Sequence, residues 1–386
     1  MDIWSLVLLL GAVQGILLAV FLILHKSKPP FPNRILAAFL VVSIFIIASP
    51  EIVRKYHAAF PHLIGSTFTI TFLLGPLLFF YVEALNDRAC ALKKSHLLHL
   101  LPFIAGTAYL FPFYLHDGAY KIEFFQKVRA EGLPVDFFAI WGLECLHVIF
   151  YFFLALQSIE RHASKIKNAF SSVEKINLQW LRKLTMANIC IWALFFAAFV
   201  LYFFKVEIDP FGVMDYAFGY AMSILVYGIG YMGLKQPAIF AGMPLEPPAL
   251  PDSKKYERSS LAPDKAQAYA RQLAHCMETR QPFKNAELTL QALAAQLAIP
   301  PNHLSQVINE LFGQNFYDFV NKYRVQEAQK ALRDRSKRHL TILAIAYEAG
   351  FNSKSAFNAA FKKHANQTPS QYQKMSGRVS QDDFGQ

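Results

Sequence analysis

The chain has 386 residues, 54% of them apolar and only 17% charged, with a formal net charge of +11 and a mean hydropathy of +0.27. Ordinary soluble domains run at roughly 45–50% apolar and 25% charged, so disorder, coiled coil and collagen are excluded. The averages hide a division: residues 1–244 hold 19 Lys/Arg among long apolar runs, and residues 245–386 hold another 19 in a much shorter stretch. The first part reads as membrane, the second as a basic soluble module. Cys90, Cys145, Cys190 and Cys276 are too scattered for a zinc or disulfide framework and read as free thiols.

Seven segments approach the roughly 20 apolar residues needed to cross a bilayer. They are 3–24, 35–49, 63–85, 97–115, 135–159, 184–204 and 216–234. The second is the shortest and ends at Pro50. A soluble core helix keeps one polar face, whereas IWALFFAAFVLYFF is apolar all round. The first segment is no cleavable leader, because Asp2 stands where a basic flank belongs and the apolar run is too long. Loops 25–34, 86–96 and 160–183 carry 12 Lys/Arg, against 6 in loops 50–62, 116–134 and 205–215. Positive charge stays inside. The expectation is a multi-pass protein of the inner (cytoplasmic) membrane, its N-terminus outside and its C-terminal module in the cytoplasm.

Within the apolar part, Glu144 and His147 stand three residues apart in mid-segment. Polar groups at that depth are expensive and default to functional hypotheses. Glu-x-x-His is a metal-ligand spacing in helical bundles, but a di-metal site needs it twice with further carboxylates. The pair is therefore expected to face the bundle interior and hydrogen-bond there, either as a structural contact or in sensing an unknown small-molecule or membrane signal.

From 236 to 262 prolines recur at 237, 244, 247, 248 and 251. Each removes an N–H and fixes φ, so this stretch is a linker, with a coil reach on the order of 30 Å. Helical signals then return. Asp264 is expected to cap a helix to Thr279, and Leu290, Leu293, Ala294 and Leu297 share one helical face. A helix from about Asn302 carries Leu304, Val307 and Ile308 and closes at Gly313, and a long helix spans 316–333. Ile342, Ile345 and Ala346 form a helix stopped by Gly350, and Ser353 begins another bearing Phe357 and Phe361. Two helices around a tight turn thus occur twice, joined by one connecting helix.

The segment IAYEAGFNSKSAFNAAFKKHANQTPSQY resembles the second helix-turn-helix of the AraC/XylS family of transcription regulators, through Gly350, Phe351, Ser353, Phe357, Phe361, Lys362, Lys363, Thr368, Pro369 and Tyr372. The first unit matches at Leu290, Ala294, Leu304, Phe312, Gly313, Phe316, Tyr323, Arg324, Ala328 and Leu332. The resemblance covers residues 262–375 and stops there. It implies double-stranded DNA as partner, with RNA polymerase and a second copy of the chain as further expected partners. The second helix of each unit would then enter the major groove.

On the first recognition helix, Asn302, His303, Ser305, Gln306 and Asn309 fall away from the core face and carry donors and acceptors suited to base edges. On the second, the outward positions are Lys354, Ser355, Ala356, Asn358 and Ala359, so this half is expected mainly to grip phosphates. Lys362, Lys363 and the cluster Arg333, Arg335, Lys337 and Arg338 are placed for that, and Arg324 is counted with the DNA-contacting residues. Residues 262–375 hold 15 Lys/Arg and 8 Asp/Glu, an excess that favours a polyanion.

No nucleotide loop, kinase signature, nucleophile elbow or zinc-protease motif occurs, so no catalytic residue, cofactor or metal is expected and the chain is not read as an enzyme. The predicted fold is all-α. Residues 1–235 form a seven-helix transmembrane bundle, 236–262 a linker, 263–375 the duplicated helix-turn-helix domain and 376–386 a disordered tail. The rival reading is a membrane transporter or receptor whose C-terminal helical module serves protein contacts.

Overall fold

The computed structural model describes residues 3–24, 31–86, 94–204, 213–235, 261–337 and 339–382. Most of the expected linker, Cys90 and Arg338 lie outside the described residues. The fold is all-helical: among the described residues there is no strand, only an isolated antiparallel bridge between Phe170 and Thr289. The chain divides into two compact units. Unit one is Met1–His162 with Leu178–Leu245, and unit two is Ala163–Asn177 with Glu246–Gln386.

Unit one contains α1 (Ile3–Leu24), α2 (Phe31–Tyr56), α3 (Thr67–Ile70), α4 (Leu74–Asn86), α5 (Leu101–Leu115), α6 (Gly118–Glu131), most of α7 (Val135–Ala169), α8 (Gln179–Phe203) and α9 (Val213–Lys235). Among the described residues, six spans are long and apolar enough to cross a membrane by length and composition: Ser5–Leu24, Phe31–Tyr56, Pro61–Asn86, Ser95–Leu115, Val135–Ala169 and Gln179–Phe203. The expected seventh segment is helical as α9. Helix α2 continues through Pro50 to Tyr56, beyond the expected stop. Proline removes one hydrogen bond, and helices packed among neighbours tolerate that loss. The third segment is broken by short 3-10 turns before α4, and α6 is an additional helix within the 116–134 loop, capped by Asp117, whose Oδ1 accepts from the Tyr120 N–H at 2.9 Å.

Helices α1, α2 and α9 pack closely on one another. A methyl group at Gly11 of α1 would stand 2.7 Å from Ser223 Oγ of α9, so the small residue sets that approach. Large apolar side chains stand outward, among them Leu24, Leu143, Phe153 and Leu194.

Unit two contains α10 (Pro263–Thr279), α11 (Leu290–Leu297), α12 (Pro301–Leu311), α13 (Phe316–Arg333), α14 (Ile342–Glu348), α15 (Lys354–Ala365) and α16 (Pro369–Asp382). Helix α10 is not capped by Asp264. Ala262 is the N-cap, Pro263 takes the first helical position and Asp264 lies in the first turn, where its charge complements the helix dipole. Helix α16 carries regular structure to Asp382, well into the stretch expected to be disordered. Side-chain caps define four further starts, where the N–H groups of Ala292, Asp318, Ala344 and Ala356 donate to Thr289, Asn315, Thr341 and Ser353, while α12 begins at Pro301 behind Pro300 without one.

Two apolar cores form, and α13 serves both. Its Phe316, Phe319 and Val320 join Leu273, Leu293, Leu304 and Ile308. Its Val325, Ala328 and Leu332 join Ile345, Phe351, Phe357 and Phe361. The turns differ in chemistry: Ala298 sits at φ 53 between α11 and α12, and Gly350 at φ 97 between α14 and α15. A side chain at Gly350 would also press into the Phe283 carbonyl oxygen and the backbone of Lys284. Left-handed backbone costs an L-residue roughly 1–2 kcal/mol. Exposed Ala298→Gly should therefore raise unit-two stability by up to about 1 kcal/mol, and Gly350→Ala should lower it by about 2 kcal/mol or more. Thermal unfolding of the two variants checks the opposite signs.

Candidate DNA-binding interface

Helix α12 buries Leu304, Val307 and Ile308 and turns its polar side outward. Asn302, Ser305 and Gln306 are half-buried and Asn309 is exposed. These groups are engaged with one another. Gln306 Nε2 donates to both carboxylate oxygens of Glu310 at 3.1 Å, and Asn309 Nδ2 donates to Ser305 Oγ at 3.4 Å. His303 differs from them: it stacks on Tyr269 of α10 at 6.2 Å and its Nδ1 is buried without a hydrogen-bond partner.

Helix α15 presents Lys354, Ser355, Asn358, Lys362 and Lys363 to solvent. Ala359 is exposed as expected, but Ala356 is 8% exposed and packs in the second core, so its methyl is not on the outward face. Lys363 Nζ pairs with Asp318 Oδ2 of α13 at 2.6 Å, tying the second recognition helix to the connecting helix. In the basic cluster, Arg333 lies over the Tyr372 ring at 5.1 Å, Lys337 pairs with Glu348 at 2.7 Å and Arg335 is exposed. The Glu348 hydrogen bond holds the Lys337 ammonium above its usual pKa.

Arg324 corrects the reading of the connecting helix. It is 1% exposed, and all five of its N–H groups are spent on the protein. Nε donates to Phe283 O at 2.7 Å, one terminal nitrogen to Ser171 O at 2.9 Å and Asn321 Oδ1 at 3.2 Å, and the other to Ser171 Oγ at 2.9 Å and Asn285 O at 2.8 Å. Burial pulls the guanidinium down to about 10, with Glu174 and Tyr317 pushing back, so it stays charged at neutral pH. Nothing is left for a phosphate.

Its partner Ser171 lies in the stretch 163–177, expected only as a basic loop. Within unit two this stretch is docked on the module. The Ser171 N–H donates to Leu288 O at 3.1 Å, beside the Phe170–Thr289 bridge, and Asn352 Nδ2 donates to Ser172 Oγ at 2.5 Å. Leu288 and Thr289 lead into the first helix-turn-helix, and Asn352 precedes the Ser353 cap of the second. The stretch therefore touches both. The roles of Ser171, Phe283, Asn285 and Asn352 were beyond sequence reasoning, but Arg324 carried a signal: it stands four residues from Val320 and from Ala328 on the buried stripe of α13.

The two candidate sensing residues lie in unit one. Glu144 is 1% exposed, and its Oε1 has no hydrogen-bond partner. His147 stands edge-on to Phe72 at 5.2 Å, and neither ring nitrogen has a hydrogen-bond partner. The expected hydrogen bonds are not made at these atoms. Among the described residues no cluster of His, Cys, Asp and Glu is arranged to hold a metal ion.

A family described as "Helix-turn-helix domain" matches residues 293–375, from α11 into α16. A Proteus vulgaris protein named "Probable transcription factor PqrA" is 30% identical over 89 residues, which are 23% of this chain and 70% of that protein. The "HTH-type transcriptional regulator GlxA" of Rhizobium meliloti (strain 1021) is 34% identical over 86 residues, 22% of this chain and 26% of that protein. A solved chain of unknown function from Listeria innocua is 27% identical, covering 28% of this chain and 95% of its own, with a TM-score of 0.24.

Arg324→Ala should destabilise unit two by about 3 kcal/mol or more, since buried acceptors lose their donor. Lys362→Ala should leave the thermal midpoint in place and lower the salt slope of DNA binding by about one. A fall in salt slope without a fall in midpoint for Arg324→Ala would return that residue to the phosphate set. Glu310→Gln removes a negative charge from the outward face and weakens its hold on Gln306, so DNA affinity measured by titration at low salt should rise severalfold.

Proposed function

We propose that this chain, which belongs to the AraC-type helix-turn-helix transcription regulators, is a one-component regulator held in the inner membrane by unit one. Unit two binds promoter DNA in the cytoplasm. The observation that carries the DNA-binding half is the intact pair of helix-turn-helix units built on a shared connecting helix, each with its own core and N-cap. Asn302, Ser305, Gln306 and Asn309 are the base-reading set, with His303 at its packed edge. Lys354, Ser355, Asn358, Lys362 and Lys363 grip the second element. The two elements are then expected about 10 base pairs apart, one helical turn. A dimer would cover two such pairs, and RNA polymerase is the partner that reads the outcome.

Six apolar spans with apolar outer faces support the membrane half. The 160–183 loop is the most basic of all and by charge belongs in the cytoplasm. Its residues 163–177 share unit two with the module, which supports the reading that both lie on the same side. This also gives a route for the signal. Helix α7 carries Glu144 in its first third and ends one residue before Phe170, so a change in α7 reaches Arg324 along the chain itself. The linker is then a tether and the 163–177 stretch the coupler.

Two experiments test this. A reporter active only in the cytoplasm should work when fused after Lys235 and fail after Lys121; the reverse pattern would sink the topology. A Gly/Ser insertion at 244–260 should leave regulation nearly intact, whereas the same insertion between Ala169 and Phe170, where α7 runs into the docked stretch, should abolish the response while DNA binding survives. Equal tolerance at both places would remove the 163–177 stretch from the signalling route.

A further inference from the structure

Unit one holds a cavity of ≈ 250 Å³ between α1, α2, α6, α7, α8 and α9 and the turn from Leu63 to Phe68. Its wall includes a group of aromatic side chains, among them Phe68, Trp141, Trp192, Phe195, Phe199 and Phe218. These rings brace each other. Trp141 and Phe199 have centroids 3.7 Å apart, and Phe218 lies 4.8 Å from both Phe195 and Trp192.

Four charged side chains also line the cavity: Glu51, Arg54, Arg129 and Glu144. Three have contacts on the protein. Glu51 pairs with Lys55 at 2.8 Å and Arg54 at 3.5 Å, Arg54 lies 4.0 Å over the Tyr216 ring, and Arg129 lies 5.9 Å over the Phe125 ring. Glu144 is the exception: it is 1% exposed and its Oε1 lacks any donor. Buried acceptors are normally satisfied, and an isolated one calls for an explanation such as an absent ligand.

We propose that this cavity binds a small organic compound with a primary ammonium group, whose N–H donates to Glu144 Oε1 while its apolar body lies against the rings. The two recognition elements reinforce each other, since aromatic faces attract cations and a carboxylate is the strongest acceptor for an ammonium N–H. An anion could pair with Arg54 or Arg129 but would bring no donor to Glu144 Oε1. A plain hydrocarbon would leave the carboxylate oxygen unpaired. The site stands on unit one alone, so it holds whether or not unit two binds DNA, and under the regulator reading it names the class of signal.

The test uses the full chain in nanodiscs, read by tryptophan fluorescence because Trp141 and Trp192 lie in the wall. The probes are 2-phenylethylamine hydrochloride and 3-phenylpropionate, with empty nanodiscs as the partition control. The amine should give a saturable change that weakens at least about tenfold in Glu144→Gln, the loss expected of one charge-assisted hydrogen bond. The carboxylate should give only the non-saturating change of partition. Saturable binding of the carboxylate equal to the amine, or amine binding unchanged in Glu144→Gln, overturns the proposal. Should Glu144→Gln not fold, the comparison of the two probes on the wild-type chain decides alone. DNA binding of the same preparation, measured separately, keeps failure of this site distinct from failure of the regulator reading.

Discussion

The buried guanidinium of Arg324 is the constraint on which unit two depends. Its charge cannot be shed at neutral pH, so burying it requires an acceptor for every N–H. Helix α13 supplies only one, Asn321 Oδ1. The rest come from the turn before α11, through Phe283 O and Asn285 O, and from Ser171, which is 153 residues away in the chain. One side chain therefore closes three distant segments on each other. Gly350 then brings the second helix-turn-helix against the same Phe283 carbonyl, where no side chain would fit. With Lys363 paired to Asp318, the C-terminal end of the second recognition helix is fixed to the connecting helix.

Much of this was legible in the sequence, for local reasons. The connecting helix 316–333 has the bounds its apolar period predicts, and Gly350 and Ser353 mark the turn and cap they suggest. These are signals read within one or two turns of chain. What failed was long-range or two-sided. The docking of Ser171 on Leu288 leaves no periodic trace. Arg324 reads as a DNA-contacting residue because a basic residue in a basic module looks solvated, yet its spacing from Val320 and Ala328 puts it on the buried stripe. Ala356 failed for a related reason: alanine is equally at home in a core and on a surface, so period alone could not say which. Pro50 misled as a breaker because neighbouring helices can hold a proline within a long helix.

Unit one follows a different logic from unit two, and its burial pattern says so. Leucines such as Leu24 and Leu194 are more than two-thirds exposed, while Glu144 is nearly sealed. In water that inversion would be costly on both counts. In hydrocarbon it is the expected arrangement, because exposed apolar surface costs nothing there and a polar side chain must turn inward. The same rule governs Asn86, whose Nδ2 donates to Ser158 O and Oγ at 3.1 and 2.8 Å across two helices. Other polar atoms of this unit are buried without a hydrogen-bond partner, among them Asn86 Oδ1, both ring nitrogens of His147 and Glu144 Oε1, and Glu144 is the acidic one of these that also lines the cavity.

Whether the 163–177 stretch can act as a coupler is a question of magnitude. A signal can shift an equilibrium only by the free energy that differs between its two states. The contacts at stake are the Ser171 N–H to Leu288, the two Arg324 bonds to Ser171 and the Asn352 bond to Ser172. At about 0.5–1.5 kcal/mol net for each neutral bond and about 1.5–3 kcal/mol for each bond to the guanidinium, they hold roughly 4–9 kcal/mol together. Typical allosteric coupling is about 1–3 kcal/mol. Partial release of the stretch is therefore enough to change DNA affinity by one or two orders of magnitude, and full release is not required. Full release would in fact be counterproductive, because it would strip two of the five acceptors from a buried charge and loosen the module that must bind. The geometry thus favours a signal that tightens or relaxes the Ser171–Ser172 contacts by small shifts, with Arg324 held throughout.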